Sequence, residues 1–236
     1  MTSLVLLSGW GIDARVWQPL APHWPAGVAV TAPEWPGYGA HPPLAEPQNL
    51  EALSASMVAH LPQDAVWVGW SLGALQAVRL LDHLPSPRAI VMLGMGAHFC
   101  TSDGVTPSSL RAFRSAFKRD SLPAWQHFLD WQLKGEPEPQ RARERLAALV
   151  GPLPSADDTT LAAGLDLLAR LDVSARLIVP PCPILRFAGE QDPLLSRADV
   201  AEADVRLPRA GHCPQLSQPG RLAEHLVSVV QQGASS

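Results

Sequence analysis

Short apolar segments bounded by glycine, proline or polar residues alternate along the chain with helical patterns. Segments of this length are typical of buried strands, and their alternation with helices predicts a parallel sheet with crossover helices. The predicted strands lie near Leu4–Leu7, Val28–Thr31, Ala65–Val68, Ala89–Leu93, Ile184–Phe187 and Asp204–Leu207. The pattern therefore predicts an α/β fold with a mostly parallel sheet of about six strands and flanking helices.

This alternation stops between His98 and Ile178, where prolines punctuate helical patterns and no strand pattern occurs. We predict a helical lid over residues 98–178, inserted into a core made of residues 1–97 and 179–236. Ligands of such sheets bind at the carboxyl ends of the strands. A lid that leaves the sheet after the fourth strand is therefore expected to cover the binding site.

Composition narrows the class of protein. The chain has 236 residues, of which 47% are hydrophobic and 17% charged, as in ordinary globular proteins. It has neither an apolar stretch long enough for a membrane span nor the features of a secretory signal, so we expect a cytoplasmic monomer without membrane contact. The net charge of −4 gives nucleic-acid binding no support. The distant cysteines Cys100, Cys182 and Cys213 favour neither a disulfide framework nor a metal site, and no cofactor is predicted.

Basic residues concentrate within the predicted lid. Residues 111–145 carry eight basic and five acidic side chains, although the whole chain is acidic. Arg111, Arg114 and Lys118 can share one helix face, and so can Arg141 and Arg145. A solvated helix face is the more frequent meaning of such spacing, and a docking surface for an acidic partner is the alternative.

The segment Gly69-Trp70-Ser71-Leu72-Gly73 matches the pattern G-x-S-x-G between a predicted strand and a predicted helix. This pattern places a serine on a strained strand-to-helix turn, where its hydroxyl can act as a nucleophile. Such a serine needs a histidine as base and a carboxylate that orients the histidine. Asp192 and His212 follow the fifth and sixth predicted strands and supply both groups in the required order. Glu190 is the competing acid, but Asp192 fits the loop position better and Glu190 is expected to face solvent.

Ester chemistry through a serine also needs two N–H donors for the negative oxygen of the intermediate. One donor is expected from Leu72, the residue after the nucleophile, and the other from Trp10 in the glycine-flanked loop after the first strand. The flanking glycines Gly9 and Gly11 are also explained by a tight turn alone, which is compatible with this role.

Five motifs of the chain form a recognisable set. They are Ser8-Gly9-Trp10-Gly11 with Val16-Trp17, Glu34-Trp35-Pro36-Gly37-Tyr38-Gly39, Gly69-Trp70-Ser71-Leu72-Gly73, Gly189-Glu190-Gln191-Asp192 and Ala210-Gly211-His212. Together they resemble the α/β-hydrolase superfamily and, within it, the family of pimeloyl-[acyl-carrier protein] methyl ester carboxylesterases. Two residues depart from the pattern of many relatives, since Ser8 stands in place of a histidine and Glu34 in place of an aspartate. Most relatives also begin with additional strand sequence.

The resemblance implies hydrolysis of the methyl ester of a pimeloyl chain on acyl carrier protein, in biotin synthesis. Features of the chain itself fit this activity, because aromatic residues could line a channel for the aliphatic chain and the basic helix faces could attract an acidic carrier. The predicted substrate-binding residues are Trp10, Trp70, Phe128 and Trp131, and the predicted docking residues are Arg111, Arg114, Arg141 and Arg145. The aromatic residues of the lid are equally compatible with packing of the lid on itself. A small free ester, a lactone or a C–C bond is the alternative substrate, and a non-catalytic receptor on the same fold is the third hypothesis.

Overall fold

Six parallel strands form one sheet in the computed structural model, which describes residues 2–232. The strands are β1 (Thr2–Leu7), β2 (Val28–Thr31), β3 (Ala65–Trp70), β4 (Ala89–Leu93), β5 (Ile184–Gly189) and β6 (Val205–Leu207). Their order across the sheet is β2-β1-β3-β4-β5-β6. All six predicted strands are confirmed, and β3 and β5 each run two residues further than predicted.

Burial along the strands follows their places in the sheet. Every residue of the central strands β3 and β4 is buried, as expected for parallel strands covered by helices on both faces. The edge strand β2 instead alternates between partly buried and exposed positions. The continuous apolar runs of the sequence therefore mark the centre of the sheet, whose carboxyl ends carry the predicted site residues.

Ten helices connect and cover the strands within the described residues. Two further segments, Ala14–His23 and Val58–His60, are 3₁₀ helices. The helices are α1 (Leu50–Met57), α2 (Leu72–Leu80), α3 (Pro107–Arg119), α4 (Ser121–Gln132), α5 (Pro139–Val150), α6 (Asp158–Arg170), α7 (Ser174–Ile178), α8 (Arg197–Ala201), α9 (Pro214–Ser217) and α10 (Pro219–Gln232). Over residues 2–232, no helix is both long and apolar enough to cross a membrane.

Helices α3 to α7 all lie between β4 and β5. Thr106 and Asp157 cap the first turns of α3 and α6, because each side chain accepts a hydrogen bond from a backbone N–H of that turn. Strand pairing in this segment is limited, within the described chain, to single bridges that join His98 to Asp172 and Cys100 to Val105. The division into a core at 1–97 and 179–236 and a separate lid at 98–178 stays a prediction.

Trp10 joins these helices to the sheet. Its ring meets Phe113, Phe117 and Phe128 edge-on, with ring centroids 5.0 to 5.8 Å apart. Its indole N–H donates to the carbonyl of Leu161 in α6 at 2.8 Å. The aromatic residues of α3 and α4 therefore pack on the loop after β1 and not only among themselves.

Trp125 of α4 makes the reciprocal connection. Its indole N–H donates to the carbonyl of Gly11 at 2.7 Å, and its ring is fully buried. A buried carbonyl that loses its donor costs about 1–3 kcal/mol. The contact therefore ties the insertion to the loop that carries Trp10.

We expect Trp125→Phe to lower the free energy of unfolding by about 1–3 kcal/mol, because it removes the donor and keeps most of the apolar ring. Trp131→Phe, in the same helix, is the control, since Trp131 is only partly buried and its indole N–H makes no hydrogen bond among residues 2–232. It should change stability by less than about 0.5 kcal/mol. Equal effects in urea unfolding would contradict the anchoring role of Trp125.

Candidate active site

Ser71 lies on a sharp turn between β3 and α2. Its backbone has φ 55° and ψ −125°, a left-handed conformation that is strained for a residue with a side chain. The turn is held because the N–H of Ser71 donates to the carbonyl of Leu93, the last residue of β4, at 2.9 Å. The side chain consequently stands at the carboxyl end of the sheet and at the N-terminus of α2.

The two glycines of the G-x-S-x-G motif are required by close backbone contacts. A Cβ atom on Gly69 would lie 2.4 Å from Cα of Ala74, and one on Gly73 would lie 2.4 Å from the carbonyl oxygen of Ser8. Neither neighbour can move as a flexible side chain would, because both are backbone atoms. The motif thus lets strand, helix and the loop after β1 approach one another around Ser71.

His212 and Asp192 form a buried pair. Nδ1 of His212 lies 2.8 Å from Oδ2 of Asp192, and both side chains have no exposed surface. The second carboxylate oxygen of Asp192 accepts the N–H of Leu194 at 2.9 Å. Glu190, the competing acid, is exposed. The structure therefore joins Asp192, rather than Glu190, to the histidine.

Missing side chains make room for this pair. A Cβ atom on Gly94, which follows β4 with φ +63°, would lie 3.1 Å from the ring of His212. One on Gly189, the last residue of β5, would lie 2.0 Å from the carbonyl oxygen of Gly211. The histidine loop is thus packed directly on the ends of β4 and β5.

Trp70 supports the histidine from the core. Its indole N–H donates to the carbonyl of His212 at 2.8 Å, and the two rings lie 5.4 Å apart. Its ring also meets Trp17 edge-on and is 1% exposed. The Trp70 indole therefore packs against the histidine and the protein core, and its predicted substrate contact stays a prediction.

The other ring nitrogen of His212 is the chemically free one. Because an ionised carboxylate only accepts hydrogen bonds, Asp192 favours the tautomer with the proton on Nδ1, which leaves a lone pair on Nε2. Nε2 is buried and has no hydrogen-bond partner among the described residues, Ser71 included. Nε2 of His212 is therefore available to accept the proton of a serine hydroxyl that comes within hydrogen-bond distance.

The loop after β1 lies directly against the serine. A Cβ atom on Gly9 would be 3.1 Å from Cβ of Ser71. No hydrogen bond of residues 2–232 uses the N–H of Trp10 or the N–H of Leu72, which is the first residue of α2. Two N–H groups are consequently available beside Ser71, and the helix N-terminus adds to their attraction for a negative oxygen.

Three residues of the Glu34–Gly39 segment hold this loop, a role that the sequence pattern did not predict. The indole N–H of Trp35 donates to the carbonyl of Ser8 at 2.9 Å, and the Tyr38 hydroxyl accepts the N–H of Gly11 at 3.0 Å. The carboxylate of Glu34 accepts the N–H of Ala14 at 3.1 Å. Burial raises the pKa of Tyr38 to about 12, so its hydroxyl stays neutral at physiological pH. A buried aromatic with a polar tip was the available sequence signal.

Trp10, Phe128 and Trp131 form a continuous aromatic row. Phe128 lies between the other two, with ring centroids 5.0 Å from Trp10 and 6.5 Å from Trp131. Trp10 and Phe128 are buried, whereas Trp131 is partly exposed. The row runs from the loop beside Ser71 to the surface of α4. A role of these three residues in lining the substrate site stays a prediction.

An open groove of about 1270 Å³ lies between α3, α6 and the segment before α1. A narrow cavity beside it, lined in part by Gly9 and Leu72, shares Pro47 and Ala163 with the groove. The groove wall carries three basic and three acidic residues. They are Arg111, Arg114 and Lys118 on α3, with Glu46, Asp158 and Asp166.

The predicted docking arginines occupy two different places. Arg114 forms an ion pair with Asp166 in the groove. Arg141 and Arg145 lie on α5, where Arg145 donates to the carbonyl of Leu216 at 2.8 Å and Arg141 lies 3.5 Å from Glu138. Arg114 and Arg145 thus make contacts within the protein, so replacing either of them would disturb the structure as well as any docking surface.

Residues 2–232 contain no group of three or more histidine, cysteine, aspartate or glutamate side chains that could hold a metal ion. The chemistry available at the site is that of Ser71, His212, Asp192 and the neighbouring N–H groups.

A model of the alpha/beta hydrolase family matches residues 4–225. A relative from Aromatoleum aromaticum, named pimeloyl-[acyl-carrier protein] methyl ester esterase, is 34% identical over 97% of this chain and 98% of the relative. A protein of the same name from Klebsiella pneumoniae is 32% identical over 97% of this chain and 93% of the relative. The resemblance predicted from the motifs is confirmed.

Solved structures show the same fold at lower identity. An esterase from Exiguobacterium antarcticum, EaEST, matches with a TM-score of 0.80 at 17% identity, over 98% of this chain and 92% of the esterase. A bromoperoxidase from Bacillus anthracis matches with a TM-score of 0.82 at 15% identity, over 98% and 92%. With the family match over most of its length, these findings show that the chain belongs to the alpha/beta hydrolase family.

Proposed function

We propose that the protein is a serine carboxylesterase that hydrolyses the methyl ester of a pimeloyl chain carried on acyl carrier protein. The observation that carries this proposal is the strained serine turn beside a buried histidine–carboxylate pair, in a chain 34% identical to a relative named for that activity. No metal or cofactor takes part in the proposed reaction. The protein is expected to act as a cytoplasmic monomer without nucleic acid or membrane.

The first half of the reaction forms an acyl enzyme. Oγ of Ser71 attacks the ester carbonyl carbon while Nε2 of His212 takes the hydroxyl proton. Asp192 holds the ring through Nδ1 and stabilises its positive form. The carbonyl oxygen becomes negative and accepts hydrogen bonds from the N–H groups of Trp10 and Leu72. The intermediate then expels methanol, which receives its proton from His212.

The second half releases the acid. Water replaces methanol, loses a proton to Nε2 of His212 and attacks the acyl carbon through a second oxyanion. Collapse of that intermediate returns the proton to Ser71 and leaves a free carboxyl group at the end of the pimeloyl chain. Methyl ester and water are thus converted to acid and methanol.

A small free ester or lactone is the second candidate substrate, and the charge balance of the groove favours it. Three acidic residues face the three basic ones, and Arg114 is already paired with Asp166. An acidic carrier gains little from a groove whose charges cancel. Mass spectrometry of methyl pimeloyl-carrier protein incubated with the enzyme, compared with a free methyl ester, separates the two candidates.

We expect Ser71→Ala to reduce ester hydrolysis by about 10⁴-fold or more, because only the nucleophilic hydroxyl is removed. Labelling by a fluorophosphonate probe should disappear with it, which also tests the hypothesis of a non-catalytic receptor. Circular dichroism and thermal unfolding serve as controls for the fold. A folded variant that keeps more than about a tenth of wild-type turnover would exclude Ser71 as the nucleophile.

Charge reversal at Arg111 and Arg141 tests carrier docking. Both side chains are exposed, and Arg111 has no acidic partner within salt-bridge distance in residues 2–232. Charges at a rim mainly accelerate encounter and are screened over about 10 Å at 0.1 M salt. We expect Arg111→Glu and Arg141→Glu to lower kcat/KM for the carrier-bound ester, with a smaller effect at high salt.

A small p-nitrophenyl ester is the control substrate, and its hydrolysis should be unchanged. Arg114→Glu and Arg145→Glu are matched variants whose losses extend to both substrates, because they break contacts with Asp166 and Leu216. If Arg111→Glu and Arg141→Glu leave the carrier-bound ester unaffected, these residues are a solvated face and docking lies elsewhere.

A further inference from the structure

Glu136 is a buried carboxylate outside the proposed triad. It lies in the turn between α4 and α5 and is 4% exposed. Its Oε1 accepts the N–H of Cys213, the residue after His212, at 2.6 Å. Its Oε2 and the hydroxyl of the neighbouring Ser217 are both without a hydrogen-bond partner among the described residues. A lid side chain therefore binds the backbone that carries the proposed catalytic base.

The same turn is interlocked with both loops of the triad. A Cβ atom on Gly135 would lie 1.8 Å from the carbonyl oxygen of Gln191, the residue before Asp192. One on Gly211, the residue before His212, would lie 2.7 Å from Oε1 of Glu136. These contacts leave little freedom for the two loops to shift relative to the turn.

The charged and titratable groups around Glu136 come from three sides. His212 and the Cys213 thiol belong to the histidine loop, and Asp192 approaches them from the loop after β5. Arg145 of α5 binds the carbonyl of Leu216, later in the same segment. The histidine loop is thus held by Trp70 from the core and by Glu136 and Arg145 from the lid.

This arrangement costs stability. Burial raises the pKa of Glu136, although the nearby Ser217 hydroxyl, the N–H groups of Cys213 and Gly211 and the positive form of His212 act in the opposite direction. A higher pKa in the folded chain means that the folded state binds the proton more tightly than the unfolded state. The free energy of unfolding therefore falls as the pH rises through the folded-state pKa. A costly buried group with an unpaired oxygen calls for a functional explanation.

We propose that Glu136 is a positioning residue for His212, through its hydrogen bond to the backbone of Cys213 and its negative charge beside the imidazole. The inference rests on the proposed function. As His212 takes the serine proton, the ring becomes positive, and a second carboxylate stabilises it together with Asp192. Glu136 touches neither the substrate nor the reacting atoms and acts only through the histidine.

The test compares Glu136→Ala and Glu136→Gln with the same substitutions at Glu138, an exposed neighbour. Glu136→Ala loses both acceptor and charge, so kcat for a small p-nitrophenyl ester should fall about tenfold to a hundredfold with little change in KM. Glu136→Gln keeps an acceptor for the Cys213 N–H, so it should restore most of kcat. The Glu138 variants should match wild type.

Two readouts separate positioning from a merely structural role. Without the negative charge the histidine is harder to protonate, so the acid limb of kcat/KM in Glu136→Gln should move to lower pH by about half a unit or more. The melting temperature of Glu136→Gln at pH 8 should equal or exceed that of wild type, because the burial cost is gone. The inference is overturned if Glu136→Ala keeps more than half of kcat, or if Glu136→Gln leaves the acid limb in place.

A proton spectrum keeps this result separate from the proposed function. The Nδ1 proton that His212 shares with Asp192 should resonate far downfield and vanish in His212→Gln. Glu136→Gln should shift this resonance and Glu138→Gln should not, whether or not an ester is hydrolysed. Failure of wild type on every ester would defeat the proposed function alone, whereas an unmoved resonance would defeat the positioning role alone.

Discussion

The close approach of three backbone segments around Ser71 is the constraint on which the rest of the structure depends. The end of β3, the start of α2 and the loop after β1 meet at Gly69 and Gly73, where there is no room for a Cβ atom, and at Gly9, where a Cβ atom would lie 3.1 Å from Cβ of Ser71. That approach forces Ser71 into a left-handed conformation and brings it beside the free N–H groups of Trp10 and Leu72. The strain is sustained because the fully buried strands on either side cannot relax.

Trp10 extends this constraint to the lid. Its backbone lies in the loop beside the serine, while its ring and indole N–H belong to the packing of α3, α4 and α6. Trp125 returns a hydrogen bond to the same loop. The packing of the lid and the geometry of the proposed oxyanion site therefore depend on the same contacts. Substitutions in the lid are expected to change the catalytic rate even where they do not touch the substrate.

Polar groups concentrate where the lid meets the histidine loop. Asp192 and Glu136 are both buried there, and each binds a part of that loop. The buried carboxylate of Asp192 is stabilised because each of its oxygens has a hydrogen-bond partner. Burial of the Glu136 carboxylate costs free energy because one of its oxygens has none. This difference agrees with the proposed role of Glu136, which is to stabilise the positively charged form of His212 during the reaction.

By itself the sequence determined the six strands, the helical insertion and the order of serine, aspartate and histidine. These features depend on local periodicity and on motifs whose spacing is set by a strand-to-helix turn. Aromatic residues in the insertion were also recognised, but not what they pack against. A sequence pattern reports which side chains are apolar, whereas their partners are decided by chain folding over long separations.

Only the tertiary structure decided the supporting place of Trp70 behind His212 and the contact of Glu136 with Cys213. Each depends on the distance between segments far apart in the chain, which no local pattern reports. The pairing of Arg114 with Asp166 was hidden for the same reason. Local spacing shows that charges share a helix face, and only the fold shows which opposite charge that face meets.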